Sequence, residues 1–134
     1  MTNKARREQV KEHILDFSSK EIQYEAWFVS TKIRSTADED FCMLFDDLGI
    51  EDYVYAKDNY MTKQENNELK ELINMLNEYK DKHSNTKGFA DFDSETVYND
   101  PVWEKIRQQA KKLYNILEKE NGIEELTFVD DWTY

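Results

Sequence analysis

Apolar residues recur along this chain with the spacing of amphipathic helices. Between residues 36 and 48 they occupy positions i, i+3, i+4 and i+7 of one stripe, namely Phe41, Leu44, Phe45 and Leu48. Thr36 and Glu39 form a T-x-x-E capping box before this stripe, and Gly49 stands where a left-handed residue ends a helix. The pattern predicts a helix over residues 36–48, followed by a short helical turn before Thr62.

Two more helices are predicted ahead of this one. The first covers residues 4–17, where Val10, Ile14 and Phe17 have helical spacing. The second covers residues 21–33 and begins after a capping box formed by Ser18 and Glu21. Its apolar positions follow a period of about 3.6 residues, but its β-branched and aromatic content leaves a strand as the alternative for residues 22–33.

The second half of the chain carries the two longest amphipathic patterns. A third capping box, Thr62 with Glu65, introduces a helix over residues 63–82. A final helix has Asn99 or Asp100 as its cap and Pro101 at its first position. The two stripes are Leu69, Leu72, Ile73, Leu76 and Tyr79, and then Trp103, Ile106, Ala110, Leu113 and Leu117.

Less regular segments lie between and after these two helices. Residues 83–99 are rich in helix breakers and predict a loop with one helical turn at 94–98. Residues 124–134 alternate apolar and polar side chains, which indicates a short strand or an extended arm. We therefore expect a single all-α domain over residues 1–134, an irregular bundle of four to five helices with an extended C-terminal arm.

Composition and charge narrow the function. The chain has 134 residues, of which 39% are hydrophobic, and a formal charge of −11. This charge disfavours direct binding of nucleic acid or of an anionic membrane, because both need clustered Lys and Arg. No apolar run reaches about 18 residues, and the only cysteine, Cys42, has no partner for an internal disulfide. These features predict a cytoplasmic protein.

The negative charge is concentrated in three segments. Residues 38–58 hold eight acidic residues against Lys57, and residues 89–100 and 118–134 carry local charges of −4 and −5. Self-repulsion at this density opposes folding, which suggests a functional reason for it. The last predicted helix is basic, and we expect it to hold part of the acidic surface through ion pairs.

Catalytic patterns are sparse. The two histidines, His13 and His83, stand far apart, and phosphate-binding loops, nucleophile elbows and zinc motifs do not occur. Asp91, Asp93 and Glu95 resemble the start of a calcium loop, but the sixth position is threonine instead of glycine and the twelfth is valine instead of glutamate. We therefore expect neither catalysis nor a metal or other cofactor.

Aromatic residues interleave with the acids in all three segments, as anchors do in protein interfaces. If the segments share a face, that face suits a basic partner. The expected contact residues are Asp46, Asp47, Glu51, Asp52, Tyr53, Tyr55, Asp91, Asp93, Asp130, Asp131 and Trp132. The expected partner is a nuclease toxin or a nucleic-acid-binding protein.

The concrete form of this prediction is an immunity protein, an antitoxin or a nucleic-acid mimic, by analogy of class. An adaptor that docks a partner through an apolar stripe is the alternative, and a carboxylate metal-dependent enzyme ranks below it. The sequence leaves the oligomeric state open.

Overall fold

The computed structural model describes residues 3–29, 35–57, 59–84 and 91–119, of which 83% are helical and none lies in a strand. The predicted all-α fold is confirmed. Its helices are α1 Asn3–Ser18, α2 Lys20–Phe28, α3 Ala37–Cys42, α4 Ile50–Tyr55, α5 Lys63–His83, α6 Ser94–Tyr98 and α7 Pro101–Lys119, with a π-helical segment at Met43–Asp47. These ranges contain seven α-helices, more than the four or five expected. Three of the seven, α3, α4 and α6, are short helices of five or six residues. The predicted C-terminal arm lies outside the described residues.

The three long helices build the core. Helix α7 packs against both α1 and α5. The predicted stripes of α1, α5 and α7 are all buried, and Leu69, Leu72, Leu76, Trp103 and Leu113 have no exposed surface. Burying such side chains contributes about 1.5–3 kcal/mol each relative to leaving them exposed. The periodicity in the sequence therefore identified the faces that meet.

A buried ion pair fixes the ends of these three helices. The guanidinium of Arg7 on α1 donates two hydrogen bonds to the carboxylate of Glu65 on α5, at 2.7 and 2.9 Å. Arg7 is 2% exposed and Glu65 is 1% exposed. Arg7 also donates to the backbone carbonyls of Tyr60 and Leu117, at 3.1 and 3.3 Å. One side chain thus joins α1, the turn before α5 and the last turn of α7.

A second polar network ties α2 to α7. The amide of Gln23 donates to the carbonyls of Asp16 and Phe17, and its oxygen accepts from Arg107 Nε at 2.8 Å and Trp103 Nε1 at 3.3 Å. Arg107 is buried, so the basic character of α7 serves the interior at this position. On the surface, Lys112 forms an ion pair with Glu68 of α5 at 3.0 Å, and Glu68 lies outside the three acidic segments.

The helix starts follow the predicted caps with one exception. Thr62 and Glu65 form the full capping box of α5, and Thr36 Oγ1 accepts from Glu39 N at the start of α3. The predicted box at Ser18 is wrong by one residue: Ser19 Oγ accepts from Ile22 N at 3.1 Å, whereas Ser18 Oγ donates to Leu15 O. Helix α2 is confirmed as far as Phe28, while residues 30–34 lie outside the described ranges.

The helix predicted over residues 36–48 changes its winding midway. After Cys42 it becomes π-helical, and Leu48 N donates to Met43 O at 2.9 Å. Gly49 then adopts φ +61°, the left-handed conformation expected at this end, and α4 begins directly after it. Arg6 Nη2 of α1 donates to Leu48 O at 2.7 Å, which satisfies a carbonyl at the end of the π-helical segment.

The Arg7–Glu65 pair yields the first prediction. Replacing Glu65 with Gln retains an acceptor for the α5 cap but leaves the Arg7 charge buried without its counter-charge. Removing one partner of a buried pair costs about 3–5 kcal/mol of the free energy of unfolding. Urea denaturation followed by circular dichroism measures this loss.

Glu78→Gln is the control, because it removes the exposed pair with Lys82 on the same helix. Exposed pairs of this kind stabilise little. Equal effects of the two substitutions would contradict the assigned role of Arg7 and Glu65.

Candidate functional site

The acidic residues of the predicted contact region lie on α3, the π-helical segment and α4. Their exposed members are Glu39, Asp46, Asp47, Glu51 and Asp52. Residues 35–56 contain no Lys, Arg or His. Within the described part of the chain, these five carboxylates form no ion pair. Glu51 accepts a hydrogen bond from Asn77 Nδ2 at 3.3 Å, and Glu39 accepts one from Thr36 Oγ1 at 3.2 Å. Their mutual repulsion is therefore left to solvent and salt.

A second predicted segment packs beside the first. Ala37 N at the start of α3 donates to Ser94 Oγ at the start of α6, at 3.0 Å. The rings of Phe41 and Phe92 meet edge to face, with centroids 5.7 Å apart. These contacts hold α6 against α3. Asp93 and Glu95, at the start of α6, are exposed, and we group them with the five exposed acids named above. We call the set of seven, Glu39, Asp46, Asp47, Glu51, Asp52, Asp93 and Glu95, the acidic surface.

Charge is arranged differently on the long helices. Each of five carboxylates there is within ion-pair distance of a cation, at 2.6 to 3.0 Å: Glu65, Glu68, Glu78, Glu104 and Glu118. Two cations that contact residues 48–55 serve other groups: Arg6 Nη2 donates to the backbone carbonyl of Leu48, and Lys70 Nζ lies 4.9 Å from the ring centre of Tyr55. Within the described ranges, the acidic surface thus has none of the ion pairs that these five carboxylates form.

The predicted aromatic contacts divide between core and surface. Tyr53 is fully buried and its hydroxyl donates to Asn59 O at 2.6 Å, so the structure removes this residue from the predicted contacts. Tyr55, two positions later on α4, is 73% exposed. Phe41 and Phe92 belong to the core. Tyr55 is therefore the one predicted aromatic contact in the described residues that a partner can reach.

The remaining predicted contacts have varied positions. Asp91 is half-buried beside Phe92. Asp93 is exposed but has a structural role, because its carboxylate accepts from Thr96 N at 3.1 Å and caps α6. Asp130, Asp131 and Trp132 lie outside the described residues.

One acid of α3, Asp40, is buried, which the charge pattern of the sequence did not indicate. Asp40 is 7% exposed, and its Oδ2 accepts from Trp27 Nε1 at 2.9 Å. Burial raises the pKa of this carboxyl above its ordinary value of 3.8, and the hydrogen bonds from Trp27 and Ser35 offset part of the rise. Asp40 stands four residues before Leu44 and therefore lies on the same, buried face of the helix. This spacing was the feature of the sequence from which its burial could have been predicted.

The thiol of Cys42, in the last position of α3, is half-buried. Burial raises its pKa, and the nearby carboxylates of Asp46, Asp38 and Asp47 raise it further. The reactive thiolate is therefore disfavoured.

His83 packs against Tyr79 and lies near Asp100. His83 stacks on Tyr79 with ring centres 4.2 Å apart, and its Nδ1 lies 3.9 Å from Asp100 Oδ2. The same Asp100 carboxylate accepts from the Tyr79 hydroxyl at 2.8 Å, and burial raises the pKa of Tyr79. Among the described residues, no group of three or more His, Cys, Asp or Glu side chains is arranged to hold a metal ion.

Within the described ranges, no helix combines the length and the apolar character needed to cross a membrane.

Comparisons with protein-family models, with curated proteins and with solved structures found no match for this chain.

The second prediction concerns Asp40→Asn. The folded state has a raised pKa for Asp40, so it binds the proton more tightly than the unfolded chain, and the wild type loses stability as the pH rises from about 3.8 through that raised pKa. Asparagine can still accept from Trp27 without carrying charge. The stability of the variant relative to the wild type is therefore expected to increase with pH over this interval and then to level off, as measured by urea denaturation across the acidic range.

His13 and Glu39 are the charged neighbours that act on Asp40, with opposite signs and smaller effects than burial. A wild type that gains stability over Asp40→Asn as the pH rises would contradict the dominance of burial.

Proposed function

We propose that this protein is a non-catalytic binding protein that engages and occludes a basic partner protein through the acidic surface. Its most concrete form is a cytoplasmic immunity protein or antitoxin that neutralises a nuclease toxin, or an inhibitor that mimics nucleic acid. The observation that carries the proposal is the acidic surface itself: exposed carboxylates on α3, the π-helical segment, α4 and the start of α6 that form no ion pair within the described residues.

Electrostatics supports a basic partner. A cluster of carboxylates with no cation on its own helices is destabilising in the isolated protein, and a cationic surface relieves that repulsion when it binds. Charge complementarity of this kind raises association rates and makes them fall with salt. Nucleases and nucleic-acid-binding proteins carry the required positive surface, because they neutralise phosphates with Lys and Arg.

The placement of Tyr55 supports the same proposal. This exposed ring extends from α4, the helix that also carries Glu51 and Asp52. Interfaces favour an aromatic anchor bordered by charged groups. Tyr55 beside the carboxylates of α4 has that arrangement.

The adaptor alternative lacks a supporting observation in the described residues. The apolar stripes that would dock a partner helix are buried between α1, α5 and α7. The large hydrophobic residues exposed in the described ranges are Tyr24, Tyr55 and Val102, which stand on three different helices. Scattered exposure of this kind is ordinary for a folded protein.

The third prediction tests the acidic surface by neutralising it. The immobilised protein captures partners from a lysate of its native host at low salt, and a salt gradient elutes them for identification. We expect a basic protein to be retained until moderate salt. The four-site variant Asp46→Asn, Asp47→Asn, Glu51→Gln, Asp52→Asn is expected to slow association with that protein by on the order of tenfold or more at low salt.

The matched control carries Glu8→Gln, Glu12→Gln, Glu25→Gln and Asp81→Asn. These residues are also exposed, lie on α1, α2 and α5, and give the same change in net charge. The control is expected to keep most of the association rate, which separates a local surface from net charge. Equal binding by the wild type and the four-site variant, or retention only of neutral proteins at high salt, would overturn the proposal.

A further inference from the structure

A pocket of about 210 Å³ lies beside the helical segment that carries most of the acidic surface. Its walls are formed by α1, α2, α3 and the π-helical segment, together with Ser35, which stands two residues before α3. The residues that line it are Asp16, Ile22, Ala26, Ser35, Asp40 and Met43.

The pocket contains a buried carboxylate with unused capacity to accept hydrogen bonds. The partners of Asp40 are Trp27 Nε1, at 2.9 Å, and the Ser35 side chain. An ionised carboxylate offers about four lone-pair sites, so these two donors leave room for more. A buried charge is costly unless a counter-charge pairs with it. Asp40 therefore suits a cationic group that enters the pocket.

The other walls suit the stem of a long cationic side chain. Ile22, Ala26 and Met43 present apolar surface to the same pocket that Asp40 lines. Lys and Arg place their methylene stems along apolar surface and direct their charged ends to polar groups. The pocket combines an apolar wall with a carboxylate.

The pocket and the acidic surface contain neighbouring residues of the same helical segment. Asp40 follows Glu39 directly, and Met43 precedes Asp46 by three residues, which is less than one turn of the helix. A basic protein on the acidic surface thus brings its side chains close to the pocket.

We propose that this pocket receives one Arg or Lys side chain of the basic partner, with Asp40 as its charge partner. The inference rests on the proposed function, because it assigns a specific anchor to that interface. It also predicts that a single cationic side chain analogue binds without the rest of the partner.

The experiment follows the indole N–H signal of Trp27 by NMR in the isotope-labelled full chain, assigned with Trp27→Phe. The probes are the acetylated methylamides of arginine and lysine, and the neutral control is that of citrulline, which has nearly the shape of arginine. The expected result is a saturable shift of the Trp27 signal with arginine, lysine or both, and none with citrulline. Asp40→Asn is expected to weaken binding on the order of tenfold or more, because charge-assisted hydrogen bonds are lost.

The indole N–H of Trp103 reports on the fold, since it donates to Gln23 at 3.3 Å in the core. The chemical shift of this Trp103 signal is expected to be the same in Asp40→Asn as in the wild type, which shows that a loss of binding is not caused by unfolding. Three results would overturn the proposal: no saturable shift in the wild type, an equal shift with citrulline, or unchanged affinity in Asp40→Asn.

This test and the capture experiment fail independently. Absent probe binding together with salt-sensitive capture of a basic protein would overturn the pocket and leave the acidic surface. Probe binding without any captured basic protein would overturn the assignment of the pocket to a partner and would contradict the proposed function.

Discussion

The fold depends on the buried ion pair between Arg7 and Glu65. Its two parallel hydrogen bonds fix the register of α1 against the start of α5, and two further hydrogen bonds from Arg7 reach the turn at Tyr60 and the last turn of α7. A planar guanidinium accepts little error in this arrangement, so the pair specifies orientation as well as proximity. Its neighbour Arg6 holds the end of the π-helical segment through the carbonyl of Leu48. Two consecutive arginines of α1 thus position both the helical core and the segment that bears the acidic surface.

Charged side chains have two different roles in this chain. In the core and on the long helices, carboxylates such as Glu65 and Glu68 are paired with cations from other helices and help to join them. On α3, α4 and α6 the fold is held by other means: Phe41 against Phe92, the Thr36 cap, and the hydrogen bond from Ala37 to Ser94. Among the exposed acids there, Asp93 caps α6 and Glu39 accepts from Thr36 Oγ1 at 3.2 Å. The other exposed acids form no ion pair within the described residues. Their charge is consistent with selection for a partner at some cost to stability.

The features that sequence reasoning predicted are local ones. The stripes of α5 and α7, the capping box at Thr62 and the left-handed Gly49 depend on residues within a few positions of each other, and all are present. Features that depend on distant residues could not be predicted. Arg7 and Glu65 are 58 residues apart, and the burial of Asp40 and Tyr53 depends on what packs over them. Periodicity identifies the face of a helix that is buried, but it does not identify the elements that cover that face. For the same reason, Tyr53 and Tyr55 looked equivalent in the sequence, whereas only Tyr55 lies at the surface.

The central claim is that the fold does not need the carboxylates of Asp46, Asp47, Glu51 and Asp52 and is destabilised by their repulsion. The most direct measurement is the free energy of unfolding in urea, at low and at high salt, for the wild type and for the variant with Asp46, Asp47, Glu51 and Asp52 neutralised. If the claim holds, neutralisation raises stability at low salt, and added salt narrows the difference because it screens the repulsion in the wild type. A variant less stable than the wild type at low salt would contradict the claim, because it would show that these carboxylates stabilise the fold.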